Sequence, residues 1–262
     1  MFRSVFRKTV WDQRHGLIGW SVGTALTVIV MAAIWPSYSS MDLKSILAQY
    51  PEAMKRIFNV ADMTTGTGYM NAELFSLLLP ALFVIYAVAR GSRLIAGEEE
   101  DGTLDLLATM PVPRRVVLVE KGAALALSLG VLAFVLFAST WLSSLVFGLD
   151  ISVVAVMNGT TAMFLIGLEF GLVALSLSAG TGRRGLATGV TAGIAGASYL
   201  IYLIAQLVDS IRPLRVLSPF YQAISDGPLG PSLPPIAWIM LAVGLFALAA
   251  SVPIFEHRDL AI

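Results

Sequence analysis

Apolar residues run together in six long blocks along this chain, about 17–35, 74–95, 116–147, 153–178, 186–208 and 236–254, separated by links that hold most of the charge. Each block is long enough, or nearly so, to cross a hydrocarbon core of about 30 Å as a helix rising about 1.5 Å per residue. The pattern predicts an all-α integral membrane protein of six transmembrane helices in one domain over residues 1–262. The third block is longer than one crossing needs. Its 32 residues make about 48 Å of helix, so its start should stand outside the bilayer as a stiff arm carrying Glu120 and Lys121.

The links carry their own signals. In residues 1–16, Phe2, Val5, Phe6, Thr9 and Val10 share one side while Arg3, Arg7, Lys8 and Arg14 fall elsewhere, the pattern of an interfacial elbow helix. A cleaved leader is the competing reading, but the first block is long enough to span and no small-residue cleavage motif follows it. Trp20 and Trp35 lie near its ends, as interfacial aromatics do. The link 36–73 places Leu43, Ile46, Leu47 and Tyr50 on one face and suggests a second short helix around Met54, Ile57 and Phe58, both on the outer surface. Pro80 marks a kink in the second block, with Arg90 and Arg93 reaching out at its end. Residues 148–152 read as a tight turn, and Asn158-Gly159-Thr160 as a glycosylation triplet too deep to be used. The Pro-, Gly- and Ser-rich stretch 209–235 holds enough apolar groups in 211–224 to dip back into the outer leaflet.

Composition agrees with the blocks. Hydrophobic residues are 57% and charged ones 13%, with a mean hydropathy of +0.81, far beyond a soluble domain. Cysteine is absent, and His15 and His257 sit at opposite ends of the chain, which leaves no Cys or His ligand set for a metal. Net charge is zero, but its distribution is informative: with the N-terminus inside, twelve of the 17 Lys and Arg fall on the cytosolic side and five outside. This bias predicts cytosolic N- and C-termini. No repeat relates the two three-helix halves.

One link stands apart, residues 97–121, GEEEDGTLDLLATMPVPRRVVLVEK. Four acids, Glu98, Glu99, Glu100 and Asp101, precede Gly102 and Thr103; Thr103 caps a short helix over 104–110 that Pro111 and Pro113 stop. Leu104, Leu107 and Ala108 share a face, giving an amphipathic helix lying beside the membrane or against a partner. This stretch resembles the signature of bacterial ABC-2 type permeases, the membrane subunits of ATP-driven exporters, in which a Glu pair is followed by Gly-Thr-Leu-Asp/Glu-Leu-Leu, a Thr, then Pro and Arg. Gly102, Thr103, Leu104, Asp105, Leu106, Leu107, Pro111, Val112 and Arg114 keep that spacing, and Lys121 falls where such permeases carry a basic residue. Met110, Pro113 and Glu120 depart from it. The run Leu217 to Gln222, LSPFYQ, resembles a segment before their last helix, and FEHRDL, from Phe255, resembles their F-x-x-R-D-L ending.

The resemblance implies a coupling helix that docks in a groove of an ABC ATPase subunit, with Glu98, Glu99, Glu100, Gly102, Thr103, Leu104, Leu107, Pro111 and Arg114 serving the coupling. It also implies a second copy or a related permease, ATP and Mg on the partner ATPase, a bacterial cell membrane, and no nucleic acid. Drugs, antibiotics, lipids and glycans are all handled by similar permeases. The residues themselves contain no G-x-x-x-x-G-K-[ST] loop, so ATP chemistry has no seat here, and neither Ser-His-Asp nor H-E-x-x-H arrangements offer catalysis. The four acids also admit readings as catalytic carboxylates, as a metal site or as a plain charged loop; a basic partner surface suits adjacent solvated acids better.

Glu169, in IGLEFG, is the one acid well inside an apolar block, and a charge at mid-bilayer costs about 2.5–3.5 kcal/mol on insertion scales. It reads either as a helix-packing glutamate or as a cavity group for a polar substrate or a proton. Gly167 and Gly171 beside it, and Gly185, Gly189 and Gly193 on the fifth block, would let helices approach closely, within the chain or between subunits. A secondary transporter or channel working through Glu169, and a membrane scaffold without transport, are the rival functions.

Overall fold

Every apolar block is a helix. The computed structural model describes residues 4–41, 63–102, 112–225 and 227–258, and six of its helices are long and apolar enough to cross a membrane: α1 (Val5–Ser39), α2 (Gly66–Glu100), α3 (Arg114–Phe147), α4 (Val153–Thr181), α5 (Arg184–Leu207) and α7 (Pro235–His257). A short helix, α6 (Pro219–Ile224), lies between the last two. The expected helices of the 42–62 link fall outside the described residues.

The first helix is longer than the first apolar block. Among the described residues the expected elbow and the first span form one continuous helix, α1, which runs as 35 helical residues from Val5, about 52 Å. Its start is held by two acceptors: Ser4 Oγ takes the Arg7 N–H at 3.3 Å and Glu120 of α3 takes the Phe6 N–H at 2.7 Å. A carboxylate at a helix N-terminus satisfies an orphan donor and suits the helix dipole. Val5, Thr9 and Gln13 are buried, so the apolar side assigned to an interface packs in the protein, and no proline interrupts the helix before Pro36. Glu120, a departure from the family pattern, has its use in this contact.

Helix α3 begins at Arg114 and runs 34 residues. Val117 and Leu118 near its start are buried in protein, as a packed stem requires. The break in α2 lies before Pro80: residues Asn71–Phe75 form a wide π turn, Ser76 N–H reaches Asn71 O at 2.9 Å, and the helix resumes at Leu78. Proline lacks the N–H that would bond to residue 76 and its ring crowds that carbonyl, so the disruption falls one turn upstream.

Helix α4 is the centre of the bundle, packed by α2, α3, α5 and α7, and it is apolar all round, as a surrounded helix must be. Glycines set its distances. A Cβ on Gly91 of α2 would lie 2.3 Å from Gly171 O, one on Gly171 3.0 Å from Leu125, one on Gly167 3.1 Å from Leu129, and one on Gly244 of α7 3.2 Å from Glu169 Cα. At Gly91 and Gly244 backbone meets backbone, while Gly167 and Gly171 make room for the Leu129 and Leu125 side chains. After α5 the chain folds back: Ser218 Oγ donates to Ser198 O at 2.8 Å, Pro219 opens α6, and Phe220 packs on Phe170 and Tyr199 with ring centroids 6.0 and 5.0 Å apart. Of the stretch 211–224, it is residues 219–224 that pack back on the bundle; Asp209–Leu217 has no buried residue. Asn158, the discounted glycosylation residue, donates instead to Gly230 O at 2.9 Å.

Candidate functional site

The end of α2 is built around a second wide turn, Arg93–Gly97, and its cause is a side chain from another helix. Ser178 of α4 donates its hydroxyl to Ser92 O (3.0 Å) and accepts from Ala96 N–H (2.8 Å). In a regular α-helix those two backbone groups bond each other; here the hydroxyl stands between them and the backbone widens. Thr188 of α5 adds a bond to the Ser92 hydroxyl at 2.9 Å. Because Glu98 N–H then bonds to Ile95 O, the Leu94 carbonyl is left for the Lys121 ammonium, which donates to it.

The four acids leave this turn, and each is met inside the chain. Glu98 pairs with Lys121 at 2.6 Å, the lysine side chain fully buried and the glutamate 19% exposed. Glu99 pairs with Arg258 at the end of α7. Glu100 accepts Arg184 N–H at 3.0 Å, capping α5 from a distant segment. Asp101 faces Arg93 at 3.4 Å. Gly182 closes α4 with φ +65, and a Cβ there would lie 2.7 Å from Arg258 Nη1, so glycine is needed for both backbone and space. Arg114, the first residue of α3, donates to Phe255 O at 3.1 Å and Arg258 O at 2.6 Å, where the last carbonyls of α7 have no helical partner.

The acids read as reaching for a partner surface thus join α2 to α3, α5 and α7. Gly102 follows with φ +66 and ends the described stretch; Thr103, Leu104, Leu107 and Pro111 lie outside the described residues.

Comparison with protein families places residues 3–260 in one model, that of ABC-2 family transporter proteins. The chain belongs to the ABC-2 transporter family. Comparison with curated proteins gives no significant match. An ABC-2 permease is the multi-pass membrane subunit of an ABC transporter and is not itself the ATPase; an ABC ATPase is the kind of partner with which this family works. In this permease the tail motif has a physical role, since Phe255 and Arg258 are where α7 is locked to Arg114 and Glu99. Asp259 and Leu260 lie outside the described residues.

The remaining candidate residues of the permease separate into inward and outward sets. Gly167 and Gly171 lie in the core. Gly185, Gly189 and Gly193 face open space, with nothing within 4 Å of an added Cβ; the buried positions of α5 are Ala187, Thr191, Ala195, Ser198, Tyr202 and Ala205. Glu169 is buried where Gly244 approaches α4, and its Oε2 has no hydrogen-bond partner among the described residues. It does not line the apolar cavity of about 360 Å³ between α2 and α5, which Val84, Val88, Ala192, Tyr199 and Phe220 enclose. Glu169→Gln is therefore expected to leave stability and transport unchanged from mildly acidic to mildly alkaline pH. Transport by reconstituted protein at several pH values checks this, and a shifted pH profile would put Glu169 on the path. Ser178 is the residue that sequence reading missed. A serine near the end of an apolar block is ordinary, and nothing local marks the backbone it enters.

Proposed function

We propose that this permease couples ATP hydrolysis by a separate ABC ATPase subunit to export of a substrate across a bacterial cell membrane. The insert end of the bundle is the cytosolic one, and both termini are cytosolic. The observation that carries the reading is the linkage around the insert: Glu98 to Lys121, Glu99 to Arg258, and Glu100 to Arg184 tie the segment before residues 103–111 to the ends of α3, α7 and α5. A push on that insert is passed to three helices at once, and α3 extends it as one rigid helix through the membrane. ATP and Mg stay on the ATPase. A second copy or a related permease completes the transporter, and the outward face of α5, with Gly185, Gly189 and Gly193 in open space, favours close approach of another helix.

Leu104→Asp with Leu107→Asp tests the reading. The double variant is expected to insert and fold like the parent, and to lose at least tenfold of its ATP-driven transport in vesicles that also contain its ABC ATPase subunit, a loss of about 1.4 kcal/mol or more of coupling. Unchanged transport would remove the insert as the docking helix. Transport that follows a proton gradient without ATP would instead favour a secondary transporter.

A further inference from the structure

The buried face of α1 lapses. Val5, Thr9 and Gln13 are buried, then Thr24, Val28, Ala32 and Trp35, and between Gln13 and Thr24 about 16 Å of helix has no fully buried residue. Two hollows lie along that seam between α1 and α2. The one toward mid-membrane, about 480 Å³, is walled by Gly16, Gly19, Gly23, Trp20, Thr27 and Leu82; an added Cβ at Gly19 or Gly23 meets nothing within 4 Å. The one at the insert end, about 320 Å³, is polar and includes Lys8, Gln13, Arg90 and Arg93 with Asp12, Glu98 and Asp101. They meet at Gly16, over which the Arg90 guanidinium lies so closely that a Cβ would be 1.7 Å from Nη2.

Pairing within the polar hollow leaves a cation over. Lys8 has Asp12 at 3.2 Å, Arg93 has Asp101 at 3.4 Å and Glu98 has Lys121 at 2.6 Å. Arg90 has no carboxylate partner among the described residues; it lies beside Tyr86, its guanidinium 5.7 Å from that ring. Gln13 is 5% exposed, and neither its amide nitrogen nor its oxygen has a hydrogen-bond partner among the described residues, a costly state for buried polar atoms. A spare guanidinium and an unsatisfied amide at the foot of a glycine-walled apolar groove match the two halves of a lipid.

We propose that an anionic phospholipid binds between α1 and α2, its headgroup phosphate on Arg90 beside Gln13 and one acyl chain in the groove along Gly16, Gly19 and Gly23. Lys8 and Arg93 at the rim add attraction for the headgroup, as cations near an anionic leaflet do. A free phosphate would satisfy Arg90 but leave the groove unfilled. The site needs only the membrane reading of the chain; the cytosolic assignment of the insert end decides which leaflet supplies the lipid.

The test uses the full permease, delipidated in detergent and titrated with phosphatidylglycerol, phosphatidylcholine or inorganic phosphate under native mass spectrometry. One phosphatidylglycerol per chain is expected to be retained in preference to phosphatidylcholine. Arg90→Gln should weaken that binding about tenfold or more, the worth of one charge-assisted hydrogen bond, while Arg90→Lys keeps most of the preference and controls for folding. Gly19→Leu, which fills the groove without touching charge, should weaken it as well. Equal retention of the two lipids, phosphate binding as tight as lipid binding, or loss of a permease dimer in place of lipid on Gly19→Leu would each overturn the proposal.

Discussion

Lys121→Met is expected to produce the largest loss of stability of any single substitution at the insert end. The lysine side chain is fully buried, its ammonium 2.6 Å from Glu98 and bonded to Leu94 O. Methionine fills similar space but leaves a mostly buried carboxylate without its cation and a π-turn carbonyl without its donor. Breaking such a pair from one side costs about 3–5 kcal/mol. Removing both charges is less harmful, because the desolvation of two ions is no longer incurred. The double variant Glu98→Gln/Lys121→Met should therefore recover more than half of the loss. Thermal unfolding of the purified permease in detergent measures both; a Lys121→Met protein that melts with the parent would show that the pair does not hold α2 to α3.

Ser178→Ala should have the largest effect on coupling. Without the hydroxyl, Ser92 O and Ala96 N–H either stay unpaired, at about 1–3 kcal/mol each, or close on each other as an ordinary helical bond. Closing removes the extra residue of the wide turn and rotates everything beyond it by about 100°, one residue of an α-helix. Glu98, Glu99 and Glu100 then turn away from Lys121, Arg258 and Arg184, and the insert leaves its bearing. The chain has no cysteine, so spin labels at Asp101→Cys and His257→Cys, both exposed, report the rearrangement without background. The distance between them is expected to shift or broaden in the Ser178→Ala protein, with transport per ATP hydrolysed falling at least tenfold. An unchanged distance distribution would mean that the π turn is kept by other contacts.

The family was legible because its signature is local: Gly102, Thr103, Leu104, Leu107, Pro111 and Arg114 fall within one link and keep their spacing. The contacts of the four acids within the chain were not. Adjacent carboxylates in a charged link look solvated, and only the convergence of helix ends brings Lys121, Arg184 and Arg258 to them from distant parts of the chain. Glu120 and the arginine of the tail motif gained their meaning in the same way, as partners of Phe6 N–H and Glu99.

By itself the sequence determined the six spans and the long helix α3, because a hydrocarbon core selects on length and apolarity, which are summed along the chain. Only the tertiary structure decided direction. Gly167 and Gly171 share the four-residue spacing of Gly185, Gly189 and Gly193, yet the first pair is pressed against α2 and α3 and the others face open space. The amphipathic start of α1 was read as lying on a membrane, but α3 supplied both a cap and a packing surface, and the helix ran straight on. In lipid every face of a span is apolar, so periodicity cannot tell a face that meets protein from one that meets hydrocarbon; the close approach of particular backbones settles that.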